Sequence, residues 1–195
     1  MQKFHDIFGP GSNPTERIVD DYEEIVRRVT ACRSLGLRIG LTSGTFDVWH
    51  EGHARYLETA RQYVDVLIVG VDNDEKVRNR KGVGRPVVAE RDRMEIICHS
   101  RYADLVFLKK WGDPKWQLTR IVRPDILIAT QGTYAEDQLE ALKEFCKEVI
   151  VLPPQAATST TARIRTLLIG PIGQMETKLA EVQEFLHNLR HGGGV

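Results

Sequence analysis

GTFDVWHEGH (residues 44–53) follows the short apolar run LRIGLTS (37–43) and precedes ARYLETARQY (54–63), which has helical spacing. An apolar run of this length that ends at a glycine predicts a buried β-strand. The stretch therefore marks a junction where a strand gives way to a helix that begins near Glu51. It also places two histidines, His50 and His53, three residues apart at that junction.

The same alternation of strand and helix patterns continues along the chain. Four further apolar runs are DVLIVGV (65–71), DLVFL (104–108), DILIAT (125–130) and EVIVL (148–152). The helical patterns that follow the second to fifth runs begin near residues 74, 113, 135 and 161. Apolar strands separated by helices indicate a parallel sheet covered on both faces. We therefore expect an α/β fold, a doubly wound Rossmann-like sheet of five parallel strands with its ligand site at their carboxyl ends.

Helical extensions are predicted at both ends, in residues 1–36 and 170–195, around a domain at 37–169. The N-terminal stripe consists of Ile18, Tyr22, Ile25, Val26 and Val29. The tail carries a second apolar stripe, formed by Met175, Leu179, Val182, Leu186 and Leu189. Such a stripe on an otherwise polar segment predicts a helix that docks on the domain or on a second subunit, followed by a disordered end.

The composition excludes several classes of protein. The 27 basic and 27 acidic side chains balance, so no overall field favours nucleic acid or an anionic membrane, and the ligand is expected to be small. The longest apolar run is far shorter than the roughly 20 residues of a membrane span. Because the N-terminal stretch also lacks an apolar signal core, the expectation is a cytoplasmic protein. Cys32, Cys98 and Cys146 are widely spaced, which predicts reduced, mostly buried thiols rather than disulfides or a zinc site.

The junction at residues 44–53 has the features of a phosphate site. A helix that begins near Glu51 directs backbone N–H groups and the positive end of its dipole beyond the first strand. Gly44 permits a tight turn, and Gly52 lets a ligand approach the backbone. His50 and His53 then project toward one volume, where imidazoles can stabilise the charge that develops during attack on phosphorus.

Other interpretations of the two histidines were weighed. HEGH resembles the start of the zinc-protease pattern HExxH, but the second histidine of that pattern falls on Ala54. A different metal site and simple capping of the helix remain open. The GVG at 82–84 lacks a third glycine and follows no strand, so no nucleotide dehydrogenase is implied.

The residues resemble a known family. GTFDVWHEGH resembles the GTFDxxHxGH signature of the cytidylyltransferase-like nucleotidyltransferases, and residues 69–94 (VGVDNDEKVRNRKGVGRPVVAERDRM) look like the matching stretch of heptose-phosphate adenylyltransferases. RYADLVFL (101–108) is similar to a segment near the dimer interface of glycerol-phosphate cytidylyltransferases. The resemblance covers about residues 38–168 and implies a homodimer that uses a nucleoside triphosphate with Mg²⁺.

The resemblance implies a single displacement, in which an acceptor phosphate attacks the α-phosphorus and pyrophosphate leaves. His50 and His53 would stabilise the α-phosphate, and Lys81 would bridge the triphosphate and the acceptor. The nucleotide would also be bound by residues of the turn and of TSTTARIR (158–165), namely Gly44, Thr45, Phe46, Gly52, Ser159, Thr160, Thr161 and Arg163. The register of that second motif is ambiguous by one residue.

Acceptor recognition is less defined. Asp47 would orient the turn or contact the acceptor, Trp49 would contact it or pack on the sheet, and Arg93 would face the site or form a surface ion pair. PDILIATQGTY (124–134) departs from the family pattern, which leaves Gln131 and Tyr134 as polar candidates and the base and acceptor undetermined.

The function expected is transfer of AMP or CMP to a sugar or polyol phosphate. Two alternatives stand beside it. One is adenylylation of a flavin or pantetheine phosphate, and the other is a nucleotide-binding regulatory protein of the same fold without turnover.

Overall fold

A parallel sheet of six strands organises the computed structural model, which describes residues 13–155, 178–179 and 181–183. Within these ranges the strands are β1 (Ile18–Val19), β2 (Ile39–Gly44), β3 (Val66–Asp72), β4 (Leu105–Lys109), β5 (Ile126–Thr130) and β6 (Glu148–Leu152). The helices are α1 (Tyr22–Ser34), α2 (Glu51–Arg61), α3 (Asp74–Lys81), α4 (Glu90–His99), α5 (Gln117–Val122) and α6 (Glu136–Leu142), after a 3₁₀ turn at Pro14–Arg17.

The strand order is β1-β4-β3-β2-β5-β6, and all the pairings are parallel. From β2 the chain builds outward through β3 and β4, and then returns to the other side of β2 for β5 and β6. The switch point of the sheet therefore lies between β2 and β5, where doubly wound sheets bind their ligands.

The five predicted strands are all present, but the predicted number of strands is wrong by one. Ile18, which fits the helical stripe of the N-terminal segment, instead belongs with Val19 to an edge strand that pairs with Val106 and Phe107. The helix begins only at Tyr22, because Asp21 caps it by accepting hydrogen bonds from the N–H groups of Glu23 and Glu24.

Two buried clusters cover the two faces of the sheet, as the doubly wound prediction requires. On one face the sheet packs against α2 and α4 through side chains that include Tyr56, Leu57, Met94 and Ile97. The other face is covered by α1, α5 and α6 through Ile25, Val29, Leu118, Val122 and Leu142. The predicted N-terminal helix is thus part of the sheet's own hydrophobic core.

Three aspartates fix the register of the sheet at its amino edge. Asp65, Asp104 and Asp125 each immediately precede a strand. Their carboxylates accept hydrogen bonds from the backbone N–H groups of Arg38, Leu67 and Ile39, at 2.8, 2.7 and 2.8 Å respectively. Leu67 and Ile39 lie on neighbouring strands, and Arg38 is the residue before β2. Each aspartate therefore satisfies a donor that the end of a parallel ladder would leave unpaired.

The chain divides into two compact units, Met1–Ala157 and Thr158–Val195. In the second unit, residues 178–179 and 181–183 are helical. The remainder of the predicted C-terminal helix lies outside the described residues, and the domain boundaries at 36/37 and 169/170 stay predictions. No helix among the described residues is long and apolar enough to cross a membrane.

We predict that Gly40→Ala destabilises the fold. A Cβ at this position of β2 would lie 2.7 and 2.9 Å from the two methyl carbons of buried Val64, whose branched side chain cannot turn away. Overpacking of this kind costs about 1–3 kcal/mol. Urea unfolding of Gly40→Ala measures this loss of stability. Gly112→Ala is the control, because no atom lies within 4 Å of the carbon added at that position. Equal unfolding midpoints for the two variants would contradict the prediction.

Candidate active site

The turn between β2 and α2 is held in a strained conformation. Phe46 and Val48 have φ angles of 52° and 50°, a region that side chains bearing a Cβ rarely occupy and that is especially unfavourable for a branched valine. Gly44, by contrast, is extended at the end of β2, and a Cβ there would lie 3.0 Å from the ring of Phe46. A side chain at position 44 would therefore crowd the Phe46 ring, and the tight turn is made by the residues after Gly44.

His50 caps helix α2 with its side chain. Its Nδ1 accepts a hydrogen bond from the N–H of Gly52 at 3.1 Å, so in the neutral ring the proton resides on Nε2. The backbone carbonyl of His50 accepts from His53 and Ala54 at 2.9 and 3.3 Å. His50 therefore accepts hydrogen bonds from three backbone N–H groups at the start of α2. In their place it offers the Nε2–H of its own ring as a donor.

The two histidines are stacked on each other, as their spacing predicts. Their ring centroids lie 3.9 Å apart with an interplanar angle of 24°. The His53 ring also contacts the rings of Phe46 and Trp49, at centroid distances of 5.4 and 5.5 Å. Trp49 is partly buried against the core on this face, so it supplies a packing wall for His53.

Burial strongly favours the neutral form of His53. Desolvation, followed by the charges of His50 and Lys81, lowers the pKa of His53 to about 4, and Asp47 opposes the shift. Among the described residues, its Nδ1 is buried without a hydrogen-bond partner. Since the folded-state pKa lies below the ordinary 6.5, this histidine stabilises the fold fully above pH 6.5 and less as the pH falls toward 4.

Asp47 fastens the loop at 85–88 onto the turn. Its buried carboxylate accepts hydrogen bonds from the N–H groups of Val87 and Val88 at 3.0–3.1 Å and pairs with Arg85 at 3.2 Å. These contacts are suited to orienting the turn, and contact of Asp47 with the acceptor stays a prediction.

Arg93 is almost entirely buried, so the surface ion pair considered for it is not what the structure contains. Its guanidinium donates to the carbonyls of Thr45, Asp72 and Val88 and to the carboxylate of Asp74. These four partners belong to the turn, the end of β3, the start of α3 and the loop before α4. Arg93 thus lies in the wall of the site and holds its parts together.

Two charged residues near the site were not identified from the sequence. Asp72 and Lys109 end β3 and β4, face each other in the sheet register, and form an ion pair of 3.1 Å. Arg80 also pairs with Asp72 at 2.8 Å and donates to the hydroxyl of Thr45 at 2.6 Å. Asp72 and Lys109 could both have been found from the sequence, since each is a charged residue directly after an apolar run. Because the carboxyl ends of parallel strands meet at one edge of the sheet, such residues are expected near the site.

Lys81 ends helix α3 and contributes positive charge to this edge. Desolvation, followed by the charges of Arg80 and Arg85, lowers its pKa. The influence of Lys81 on the pKa of His53 places the ammonium within electrostatic range of the histidine pair. Lys81 thus acts electrostatically on His53, which in turn stacks on His50.

The two polar residues predicted in the loop after β5 differ in their burial. Tyr134 is partly buried, and burial, followed by Tyr56 and Asp72, raises its pKa. Gln131 is exposed, and its backbone N–H donates to Leu152 on β6. Ser159, Thr160, Thr161 and Arg163 lie outside the described residues.

The carboxylates of Asp47 and Asp72 lie near the site among the residues that the structure describes. Asp47 and Asp72 are already paired with cations, and the described part of the chain contains no group of three or more His, Cys, Asp or Glu side chains that could hold a metal ion. A divalent cation at this site would therefore need phosphate oxygens as its principal ligands.

A turn that carries two stacked histidines at the switch point of a doubly wound sheet defines a phosphate-handling α/β domain. A family model described as cytidylyltransferase-like matches residues 41–170. The chain belongs to this family of nucleotidyltransferases.

Curated relatives support this assignment. The chain is 37% identical over 151 residues to the bifunctional protein HldE of Desulfatibacillum aliphaticivorans, and 36% identical over 152 residues to that of Bradyrhizobium sp. (strain ORS 278). Each match covers 76% of this chain but only 30% or 31% of the relative. The chain therefore spans about three tenths of the length of these relatives.

Solved structures share the fold. A lipopolysaccharide core biosynthesis protein from Thermoplasma volcanium GSS1 matches with a TM-score of 0.53 and 24% identity, over 60% of this chain and 96% of that one. A pantoate-beta-alanine ligase from Francisella tularensis matches with a TM-score of 0.54 and 16% identity, over 70% and 66%. At these identities the likeness concerns the fold alone.

We predict that Lys81→Met raises the pKa of His53 above its value of about 4, because the substitution removes a cation that disfavours the imidazolium. Arg78→Met, on the same helix, serves as the matched control, since Arg78 is not among the charges that shift His53. A histidine-selective NMR titration measures the pKa in the three proteins. An unchanged His53 pKa in Lys81→Met would show that Lys81 does not act on the pair.

Proposed function

We propose that this domain transfers a nucleoside monophosphate, AMP or CMP, from a nucleoside triphosphate to a phosphorylated small acceptor such as a sugar or polyol phosphate. The observation that carries the proposal is the stacked His50–His53 pair at the start of α2, with the buried Nδ1 of His53 lacking a partner among the described residues. A buried imidazole nitrogen beside a second imidazole and a helix N-terminus suits an oxygen of the α-phosphate.

The reaction is a single displacement. An oxygen of the acceptor phosphate forms a bond to the α-phosphorus while the bond from that phosphorus to the bridging oxygen of pyrophosphate breaks. The Nε2–H of His50 donates to a non-bridging oxygen of the α-phosphate, and His53 binds the same group. No side chain of the protein becomes covalently attached, so its contribution is positioning and charge stabilisation.

The neutral state of His53 suits this function. A neutral imidazole can be buried among apolar side chains at little desolvation cost. Its hydrogen bonds to the phosphate become stronger as negative charge develops on the phosphorane oxygens. The permanent charge comes instead from Lys81, which bridges the triphosphate and the acceptor. The backbone amides of Thr45 and Phe46 would bind the triphosphate, and the family resemblance adds Ser159, Thr160, Thr161 and Arg163 as further candidates for nucleotide binding.

Mg²⁺ is part of the proposal as a companion of the nucleotide. It neutralises triphosphate charge when bound, and the arrangement of Asp47 and Asp72 is consistent with its being held by the nucleotide rather than by the protein. We also propose a cytoplasmic location, because the three cysteines are free and buried.

The choice of acceptor rests on similarity. The similarity to the bifunctional protein HldE, together with the resemblance of residues 69–94 to heptose-phosphate adenylyltransferases, supports ATP and a sugar phosphate as the substrates. The altered loop at 131–134 is where a different base or acceptor would be accommodated. Because of this altered loop, two alternative functions remain. One is adenylylation of a flavin or pantetheine phosphate, and the other is a regulatory protein that binds nucleotide without turnover.

The test measures pyrophosphate release from each of the four nucleoside triphosphates with Mg²⁺ and a panel of phosphorylated sugars, polyols, flavin and pantetheine. One nucleotide–acceptor pair is expected to be active, and His53→Ala is expected to lower its kcat about 10²–10³-fold, the loss typical of a transition-state donor. His99→Ala, an exposed histidine on α4, should retain full activity.

The outcomes separate the alternatives. Release with flavin or pantetheine phosphate alone would assign the adenylyltransferase of cofactor synthesis. Calorimetric binding of a triphosphate without release for any acceptor would favour the regulatory protein. Equal release by wild-type protein and His53→Ala would contradict the proposed site.

We further propose that the protein is a homodimer. The resemblance of residues 101–108 to a dimer-interface segment supports this, as do Leu179 and Val182, which are 59% and 54% exposed on a helical segment. Multi-angle light scattering of the full chain should give twice the chain mass of 22.2 kDa. A mass near 22.2 kDa at micromolar concentrations would exclude a stable dimer.

A further inference from the structure

Two cationic side chains pair with one buried carboxylate beside the proposed active site, and a third cationic residue lies on the same helix as one of them. The side chain of Asp72 is 2% exposed and pairs with Arg80 at 2.8 Å and with Lys109 at 3.1 Å. Lys76 lies one helical turn before Arg80 on α3, a spacing that puts the two side chains on the same side of the helix. We refer to Lys76, Arg80 and Lys109 as the basic cluster.

The basic cluster carries more positive charge than Asp72 neutralises. Lys109 alone would balance the carboxylate. Lys76, on the same side of α3 as Arg80, adds a third charge, and desolvation, followed by the charge of Lys109, lowers its pKa. Asp113 is also within electrostatic range of Lys76, but its carboxylate accepts hydrogen bonds from the Tyr22 hydroxyl and the Lys110 N–H.

The cluster also has hydrogen-bond donors to spare. Arg80 uses only Nη2, for both Asp72 and Thr45, while Nε and Nη1 donate to nothing in the part of the chain that the structure describes. Its side chain is 53% exposed. The Lys76 ammonium likewise has no hydrogen-bond partner within the described ranges. Surplus charge with unused donors beside a catalytic turn is the arrangement of an anion site.

We propose that the basic cluster binds the phosphate group of the acceptor substrate, an inference that rests on the proposed nucleotidyl transfer. The nucleotide of a doubly wound sheet occupies the crevice at the switch point, between β2 and β5. The cluster lies on the other side of β2, at the ends of β3 and β4, which leaves it to the second substrate. The bond from Arg80 to the Thr45 hydroxyl keeps the cluster adjacent to the turn where the transfer occurs.

A purely structural function for Arg80, as an ion pair that holds α3 to β3, makes a different prediction for Lys76. Lys76 makes no side-chain hydrogen bond or ion pair among the described residues, so its removal would leave a structural network intact. Loss of phosphate binding on substitution of Lys76 is therefore specific to an anion site.

The experiment titrates inorganic phosphate into the full chain by calorimetry, with and without saturating Mg²⁺ and the α,β-methylene analogue of ATP or CTP, which cannot release pyrophosphate. The variants are Lys76→Met and Arg80→Met. Arg78→Met is the matched control, because Arg78 is exposed and points away from both residues on the same helix. Thermal unfolding verifies that each variant is folded. If Arg80→Met is unfolded, the comparison of Lys76→Met with the control is sufficient for the test.

With the analogue bound, the wild-type protein and Arg78→Met should bind phosphate equally. Lys76→Met and Arg80→Met should bind it about tenfold more weakly, with unchanged affinity for the analogue. The proposal is overturned if both variants bind phosphate like Arg78→Met, or if they lose affinity for the analogue instead, which would assign the cluster to the triphosphate. Failure of the proposed function would give a different result, namely no binding of the analogue and no release of pyrophosphate. In that case the phosphate titration without the analogue still measures anion binding by the basic cluster.

Discussion

A single buried guanidinium joins the parts of this site. Arg93 donates to the carbonyls of Thr45, Asp72 and Val88 and to the carboxylate of Asp74, and so links the turn, a strand end, a helix start and a loop. Removing one partner of a buried charged network typically costs about 3–5 kcal/mol, because the remaining polar groups are left without partners. The strained angles at Phe46 and Val48 persist because this network, with Asp47, determines where the backbone goes.

Local charge, rather than net charge, determines what the site binds. The chain as a whole is neutral, yet the carboxyl edge of the sheet gathers Arg80, Lys81, Arg85 and Lys109. The aspartates among them are used for positioning, since each is buried and paired. The site is consequently suited to anions although the net charge of the chain gives no indication of it.

The features that the sequence predicts are those that depend on periodicity and motif. The five long strands follow from apolar runs, and the contact of His50 with His53 follows from their spacing at a helix start. Strand β1 could not be predicted, because two residues carry no period and Ile18 also fits a helical stripe. The burial of Arg93 was equally hidden, since a charged residue in a helix is ordinarily exposed and only tertiary contacts from four segments satisfy this one.

The hydrogen bonds of Asp65, Asp104 and Asp125 lie at the opposite edge of the sheet from the chemistry. Part of the stability of the sheet therefore comes from the edge that the proposed chemistry does not use. Substitutions that make the protein more heat-resistant can be sought along the amino edge without altering substrate preference. Conversely, the loops at the carboxyl edge can be exchanged to change the substrate while the register of the strands is retained.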